Sequence, residues 1–579
     1  MKWKLRTSNN QSSLDKLIEQ LSRKQAFPRP IAHILLQRGI DSLHKAKTFF
    51  TPKRESLHDP FLMRDMDKAV ARLIKAKIFE EKVLVYGDYD VDGTTSVSML
   101  ALYLEEWGFA FDYYIPDRYK EGYGVSFQGI DYAEEQGVKL IIALDCGIKA
   151  HEEVLYAKEK GIDFIICDHH LVDEEQSLPQ AAAILNPKQP NCPYPCKELT
   201  GCGIGLKFIQ AATLAQIEMG ELMPSVPYDP FVKYSGLATL SIACDIVPIV
   251  DENRVIAYYG IRQIQSNPLP GIKAIKELAT NERKWNIADV VFFIGPRVNS
   301  VGRLGSAMEA VRVLSGKSKQ LPEWVKQLET SNQKRKDIDR KTVKEALSLI
   351  ESDASFAQKA TTVLYHPAWH KGVIGIVASR LIERFYRPTI LLTESAGKLV
   401  GSARSVRGFD LYAALDACRD YLLQFGGHKY AAGMTMAPEA LPHFMEAFDT
   451  FVQRNITQES KVPVLFIEHV LKFDEIDERF IKLIHRMSPF GPQNPTPVFA
   501  SKEVEVLHAR ILKEEHISFF LKQGSNTFRA IGFNMAEKWS KISTNYLHIA
   551  YQPMLNTWKG KTSIQLQLKD FKAVLIHGK

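Results

Sequence analysis

No uninterrupted apolar stretch in these 579 residues approaches the ~18–20 residues that a membrane-spanning helix needs. The opening Met1-Lys2-Trp3-Lys4-Leu5-Arg6 is basic but leads into no apolar segment. A secretory signal is therefore not expected, and a cytoplasmic location is. Cysteine is scarce, with seven residues. Cys146, Cys167 and Cys244 sit in or beside apolar runs and read as small buried side chains rather than a disulfide framework. Cys192, Cys196 and Cys202 cluster in a Pro-rich loop, but no fourth ligand at zinc spacing follows them. Repeats and low-complexity tracts are absent. A large excess of one charge is absent too: 74 Lys and Arg face 67 Asp and Glu, a formal net charge of +7. That permits a polyanionic partner without demanding one. With 45% hydrophobic and 24% charged residues, the chain is neither mostly disordered nor collagen-like. At roughly 150 residues per domain, its length suggests about four units.

The pattern divides accordingly. Residues 1–75 read as helices and loops, with Phe61-Leu62, Met66, Ala69-Val70 and Leu73 at helical spacing. From 76 to 316, short apolar runs alternate with helical segments. The runs are Val83–Val85, Tyr113–Ile115, Leu140–Leu144, Phe164–Ile166 and Ala183–Leu185. Continuous apolar strands alternating with helices predict an α/β domain whose parallel sheet is covered on both faces. Residues 317–352 form a polar stretch, predicted as one long solvated helix connecting two domains. A second α/β unit is expected over 353–457, with turns at Gly401, Gly408 and Gly426-Gly427. Over 458–579 six short strand-like runs, the first at Val464–Ile467, predict a small C-terminal β-barrel.

The densest chemistry lies in Tyr86-Gly87-Asp88-Tyr89-Asp90-Val91-Asp92-Gly93, directly after a predicted strand. Alternate residues of extended chain share a face, so Asp88, Asp90 and Asp92 can converge. Close carboxylates repel unless a cation neutralises them. An Asp-Gly turn or a helix cap is the plainer alternative. Two further strands end in the same way, at Asp145 and at Asp168-His169-His170. Sites in open α/β sheets form at the carboxyl ends of strands, so three distant segments are expected to meet in one crevice. Asp245, inside the apolar run Ser241–Val247, is a further candidate, because an unpaired buried Asp is costly; capping the next turn is its alternative role. Carboxylates plus imidazole without thiolates favour Mn²⁺ or Mg²⁺. So many acids exceed one ion's needs, and two ions suit attack of water on a phosphodiester.

These residues also resemble a known family. Asp168-His169-His170 is similar to the triplet of the DHH phosphoesterases. Gly87–Ser96, with its Asp-X-Asp-X-Asp-Gly core, is similar to that family's first motif, in the form found in its RecJ-like branch. Asp59-Pro60-Phe61-Leu62-Met63 and Gly295–Leu304 resemble the same branch. The resemblance spans nearly the whole chain. It implies metal ligands at Asp88, Asp90, Asp92, Asp145, His169 and Asp245, with His170 close by as a ligand or phosphate contact and Asp145 as the expected bridging carboxylate. It also implies a 5′→3′ exonuclease of single-stranded DNA that releases 5′-mononucleotides in repair and recombination. Helicase and single-strand-binding proteins are its implied partners, and a monomer is the default.

Gly426-Gly427-His428-Lys429-Tyr430 reads as a glycine turn followed by small residues able to start a helix, a geometry that favours anions. It is similar to the signature of the DHH-associated substrate-binding domain. Ser402 and Arg404, two residues apart on a predicted strand, can face one phosphate. The resemblance makes this a pocket for the 5′ end, with Arg118 and Arg303 as its other members and Arg297 and Asn299 as backbone contacts. The barrel resembles an OB-fold. Phe519, Phe520, Phe528, Arg529, Phe533 and Lys522 have the character of a single-strand platform, although strand aromatics are more often core. Two other readings are weighed: a DHH-family phosphodiesterase for short oligonucleotides or cyclic dinucleotides, and a nucleic-acid-binding adaptor with an inactive core.

Overall fold

The computed structural model describes residues 1–6, 11–22, 27–172, 177–220, 229–280, 284–558 and 560–574. The chain opens with a strand, β1 (Lys2–Leu5), where helix and loop were expected. The five predicted apolar runs then form β2 (Lys82–Gly87), β3 (Phe111–Tyr114), β4 (Val138–Leu144), β5 (Asp163–Cys167) and β6 (Ala183–Leu185). They lie in one parallel sheet in the order β3-β2-β4-β5-β6. The interior residues of β2, β5, β6 and the Leu140–Leu144 part of β4 are buried because helices cover both faces, which is why these runs are continuously apolar, whereas the edge strand β3 is half-buried.

Register matters more than order here. Gly87 pairs with Leu144, and Leu144 pairs with Cys167. Three strands therefore stop at one level, and the next residue of each is an aspartate: Asp88, Asp145 and Asp168. The chain leaves β2 for β3 on one side and returns as β4 on the other, so the strand order reverses there. Such a switch point opens a crevice.

The connecting helix runs Leu321–Ser352. It is less solvated than expected. A stripe of Leu321, Val325, Leu328, Asn332, Arg335, Asp339, Thr342, Ala346 and Ile350 is buried. Spacings of three and four residues put these side chains on one face.

The second α/β unit contains β7 (Thr362–Tyr365), β8 (Thr389–Ser395), β9 (Lys398–Arg404), β10 (Gln424–His428) and β11 (Ala431–Met436), in the order β10-β11-β9-β8-β7. Two expectations fail here. Gly401 lies inside β9, where a Cβ would press on Leu392 and Met434. Gly426 and Gly427 lie in the edge strand β10, and β11 follows them rather than a helix. Gly427 adopts φ +142° and closely faces Ala431 and Ala432, which explains a glycine at that point of a strand.

Further along come β12 (Val464–Ile467), β13 (His469–Val470), β14 (Phe499–Leu512), β15 (His516–Gln523), β16 (Asn526–Gly532), β17 (Tyr546–Trp558) and β18 (Lys561–Ala573). The barrel runs β14-β15-β16-β18-β17 and closes because β17 also pairs with β14. Closure removes the sheet edges. Val464–Ile467, expected in the barrel, instead pairs in parallel with β1, Lys2 opposite Val464 and Leu5 opposite Ile467. Trp3 Nε1 donates to Asp570 Oδ2 at 2.7 Å, tying the first strand to the last. The first 75 residues serve two cores. Leu17, Ile31, Ile34 and Leu35 pack with Phe480, Phe499 and Ile549 of the barrel region. The helix Met66–Ile78 packs with the β2–β6 sheet.

Candidate active site

The crevice at the level strand ends gathers every acid and imidazole singled out from the sequence as a ligand. Three groups of ligand atoms, each within 4.8 Å, overlap: Asp88 with Asp90 and Asp145; Asp145 with His169 and His170; and Asp92 with His169 and Asp245. Asp145 and His169 are each shared by two groups. His169 Nε2 lies 3.2 Å from Asp145 Oδ1, 3.7 Å from Asp92 Oδ2 and 3.7 Å from Asp245 Oδ2.

Local structure explains each placement. Asp90 is the N-cap of the helix Val91–Glu106 and accepts from the Gly93 amide at 3.1 Å. Gly93 must be small, because a Cβ there would collide with the Asp88 backbone. Asp92 accepts from the Gly201 and Cys202 amides at 2.7 and 2.8 Å and from Ser241 Oγ at 2.7 Å. These amides open the helix Gly201–Glu218, so a carboxylate meets unsatisfied N–H groups. Asp145 has φ +62°, a left-handed backbone that costs a non-glycine residue roughly 1–2 kcal/mol. A Cβ on Gly201 would stand 2.7 Å from Asp145 Cα, so the same helix start presses on this turn. Asp245 caps the C-terminal end of the helix Pro230–Cys244 and is partly exposed. It thus ends the preceding helix through its backbone and does not cap the next turn, while its carboxylate lies among the other acids.

The electrostatics are those of a site short of positive charge. Burial pushes the Asp88 carboxyl well above its usual value, and Asp90 adds to this. Burial does the same to Asp145, with Asp92, Asp90 and Asp88 contributing. Burial and then Asp92 raise Asp90. Asp245 is pushed up to about 8 by burial, then by Asp92 and Asp90. Asp88 Oδ1 is buried and has no hydrogen-bond partner. A buried carboxylate oxygen without a donor, facing other carboxylates, calls for a cation. The donor set of carboxylates and imidazole fits a hard or borderline divalent ion.

Asp168 was not foreseen as a support. It accepts from the Ile148 amide at 2.9 Å, the His170 amide at 3.1 Å and His170 Nδ1 at 2.7 Å. Burial alone would raise Asp168, but the bonds from His170 prevail and hold it down at about 2. In return Asp168 raises His170 against the opposing effect of burial. Tyr123 was also missed: its hydroxyl lies 3.0 Å from His170 Nε2 and 3.3 Å from the Asp145 carbonyl. No sequence spacing marks it; only the flanking Gly122 and Gly124, both at positive φ, hint at a shaped loop.

Opposite the acids stands a basic pocket. Burial, then Arg118 and Arg404, bring Arg303 down to about 10. Burial and then Arg118 lower Arg404. Three guanidiniums from three segments thus lie close enough to repel. Among the described residues, no carboxylate comes within 4.0 Å of any of them. Arg404 Nη1 donates to Ser402 Oγ at 3.1 Å. Arg303 Nη1 donates to the Gly372 carbonyl at 3.1 Å, and the Tyr119 hydroxyl donates to the Arg303 carbonyl. A Cβ on Gly372 would press on the Tyr119 hydroxyl and the Arg303 carbonyl, so glycine there lets the second α/β unit close onto the first, and a Cβ on Gly375 would press on Ser402 and Arg404 of its own unit. Tyr119, Gly372 and Gly375 carried no signal in the sequence.

Gly426 and His428 share this face. Ser402 is opposite Gly433, which is opposite Gly426; Arg404 is opposite Ala431, which is opposite His428. Directly paired residues point to one side of a sheet. Both Gly426 and His428 are exposed, so they extend the floor beside Ser402 and Arg404. Arg297 is different. It is buried, its Nε lies 2.6 Å from Glu329 Oε2 of the connecting helix, and it caps the Phe293 ring at 3.7 Å. Its charge is matched by Glu329, so it ties its own helix to the connecting helix. Asn299 is half-buried on the same helix, Gly295–Leu304. In the barrel, Phe519 is core and packs on Trp539 and Phe571, and Phe528 packs on Phe473. Phe520, Phe533, Lys522 and Arg529 are exposed.

Comparison with known proteins places this architecture. Family models match at residues 82–227 (DHH family, N-terminal domain), 358–454 (DHHA1 domain) and 467–570 (RecJ OB domain). The single-stranded-DNA-specific exonuclease RecJ of Bacillus subtilis strain 168 is 35% identical over 577 residues, covering 98% of this chain and 70% of the relative. A crystal structure of RecJ from Thermus thermophilus with Mn²⁺ superposes with TM-score 0.83 at 24% identity, covering 99% of this chain and 80% of that one. A crystal structure of exonuclease RecJ bound to manganese gives 0.58 at 28% identity, covering 69% and 97%. The fold and site thus define a DHH phosphoesterase with a DHHA1 domain and an OB barrel. Within that class, the chain belongs to the RecJ family.

Proposed function

We propose that this chain hydrolyses phosphodiester bonds of single-stranded DNA from the 5′ end, releasing 5′-mononucleotides, in DNA repair and recombination. Asp88, Asp90, Asp92, Asp145, His169 and Asp245 would hold two divalent ions, Mn²⁺ or Mg²⁺. When bound, such ions acidify the attacking water and offset the charge that develops on the phosphorus centre. Asp145 is our choice for the bridging carboxylate, because it is shared between two of the ligand groups. His170, fixed by Asp168, presents its ring edge to a phosphate oxygen. Arg118, Arg303, Arg404 and Ser402 grip the terminal phosphate, with Gly426 and His428 extending that surface. Asn299 stays a backbone contact in this reading.

The single observation that carries it is the position of Arg118. Its charge acts on Asp88 of the acid site and on Arg303 and Arg404 of the basic pocket. A strand whose end is held by the arginines therefore lays its first internucleotide linkage on the acids, which favours release of single nucleotides. We assign residues 76–316 to catalysis, 353–457 to the end grip, 317–352 to the join between them and 458–579 to strand binding. A helicase and a single-strand-binding protein are the partners that would open and hold its substrate, with the enzyme acting as a monomer in the cytoplasm. No helix among the described residues is long and apolar enough to cross a membrane.

Digestion of 5′- and 3′-labelled single strands and duplexes with Mn²⁺, Mg²⁺ or chelator tests this. Mononucleotides should appear from 5′-labelled single strands, with metal only. Products confined to dinucleotide substrates would replace the reading with a short-oligonucleotide phosphodiesterase.

A further inference from the structure

Beside Arg118, at the carboxyl end of the edge strand β3, lies a cavity of about 230 Å³ that none of the residues named above fills. Its wall includes Tyr89, Tyr113, Tyr114 and Tyr132, together with Met308 and Arg118. Drug-sized ligands occupy roughly 300–1,000 Å³, so this space suits a single small ring system.

The aromatic wall is fixed in advance. Tyr114 stacks on Tyr86 at 5.4 Å and meets Tyr132 at 5.2 Å. The Tyr114 hydroxyl donates to Glu121 at 2.9 Å, and that of Tyr132 donates to Asp112 at 2.7 Å. Rings tied at their polar ends cannot swing in to close the gap. Tyr89 carries the Arg118 guanidinium over its face at 4.9 Å. The same side chain therefore borders the cavity, the acid site and the terminal-phosphate pocket. A flat aromatic slot joined to an arginine suits a base attached to a phosphate, since every base has a π-face to stack.

We propose that this cavity is a nucleobase subsite, and that it takes the base of a 5′-phosphorylated nucleotide whose phosphate reaches Arg118. The proposal rests on the exonuclease reading above. The nucleotide has two possible sources: the terminal residue of the strand, or a free mononucleotide retained after cleavage.

The test is the pair Met308→Trp, which fills the cavity, and Tyr113→Leu, which removes part of its wall. Each is assayed on 5′-phosphorylated single strands with either adenine or an abasic site at the terminal position. Free dAMP serves as inhibitor in a parallel arm. The wild type should favour the base-bearing strand by roughly ten-fold in kcat/KM. Either variant should lose that preference and leave the abasic strand unchanged, so that the two losses do not add. A weakened dAMP inhibition together with the lost preference assigns both sources; weakened dAMP inhibition alone assigns the free nucleotide. Equal losses on both strands, or no loss on either with dAMP inhibition intact, overturn the proposal. Absence of any metal-dependent product from wild-type protein would instead overturn the underlying exonuclease reading. If Met308→Trp fails to fold, Tyr113→Leu decides alone.

Discussion

The acid rim and the arginine pocket face one crevice and differ in almost every respect. Most of the rim follows strands of one sheet that end at one level, and a helix end adds Asp245. The pocket is assembled from a loop, a helix end and a strand of a second unit, at Arg118, Arg303 and Arg404. Burial raises Asp88, Asp90, Asp145 and Asp245 and lowers Arg303 and Arg404, so each pole opposes its own charged form. The difference teaches that neither pole is self-sufficient. One waits for cations and the other for an anion, and a nucleotide end with its divalent ions meets both needs at once.

The sharpest break in that comparison is on the acid side. Asp145→Ala should lower kcat by roughly 10³-fold or more, with single-strand binding in chelator held within a few-fold. The metal-free variant Asp145→Asn should melt at a higher temperature than wild type, because a repelling charge has gone. Mn²⁺ should raise the wild-type melting temperature, since an ion at 100 times its Kd contributes about 2.7 kcal/mol, and should raise that of the variant far less. A stable Asp145→Ala enzyme with full activity would remove the proposed metal site.

The basic side should respond by smaller factors. A bond to a charged group contributes about 1.5–3 kcal/mol, so Arg404→Ala should weaken use of 5′-phosphorylated strands by roughly 10–100-fold. Strands with a 5′-hydroxyl should be affected much less. Lysine should not restore the loss, because it lacks the planar fork. Arg297→Ala supplies the contrast. Its half-buried Glu329 partner would lose this ion pair, so the melting temperature should fall while the preference for a 5′-phosphate stays as it was.

The effect of pH separates the poles further. Asp245 in the metal-free fold is raised to about 8, above its unfolded value. The folded protein then holds more protons than the unfolded chain between about pH 4 and 8, and stability falls as pH rises through that window. Denaturant titrations in chelator should show this decline. Saturating Mn²⁺ should flatten it, because an ion-bound carboxylate has no proton to lose.

How much of this could be read from the chain follows from the same contrast. A parallel strand covered on both faces gives a continuous apolar run, and Asp88, Asp145 and Asp168 each mark where one stops. The rim was therefore legible, as were the five strands behind it. The ion pair of Arg297 was not legible because its partner, Glu329, lies on another helix, and a cation in a motif looks the same whether it meets a carboxylate or a phosphate. Gly426 and Gly427 were read as a turn; an edge strand with a close neighbour also selects glycine. The strand Lys2–Leu5 was missed because its pairing partner, Val464–Ile467, lies near the other end of the chain. Asp168, Tyr119 and Tyr123 act through contacts that only the fold creates.

The smallest expected effect concerns the barrel, where neighbouring residues again differ by environment alone. Phe519 and Phe520 are adjacent on β15, so they point to opposite faces. Phe519 is fully buried, while Phe520 is 45% exposed. Phe520 stands opposite Arg529 on β16 and His508 on β14, giving an exposed row with an aromatic between two nitrogenous side chains. Phe519→Ala should cost about 3–5 kcal/mol of stability through the cavity it leaves. Phe520→Ala should leave the melting temperature unchanged and weaken binding of long single strands by about 1 kcal/mol, or several-fold, at the low end of base stacking. Strands too short to reach from the acid rim to the barrel should bind as before. Equal weakening for short and long strands would place the contact of Phe520 elsewhere, and would leave the two poles of the crevice as the whole of the binding surface.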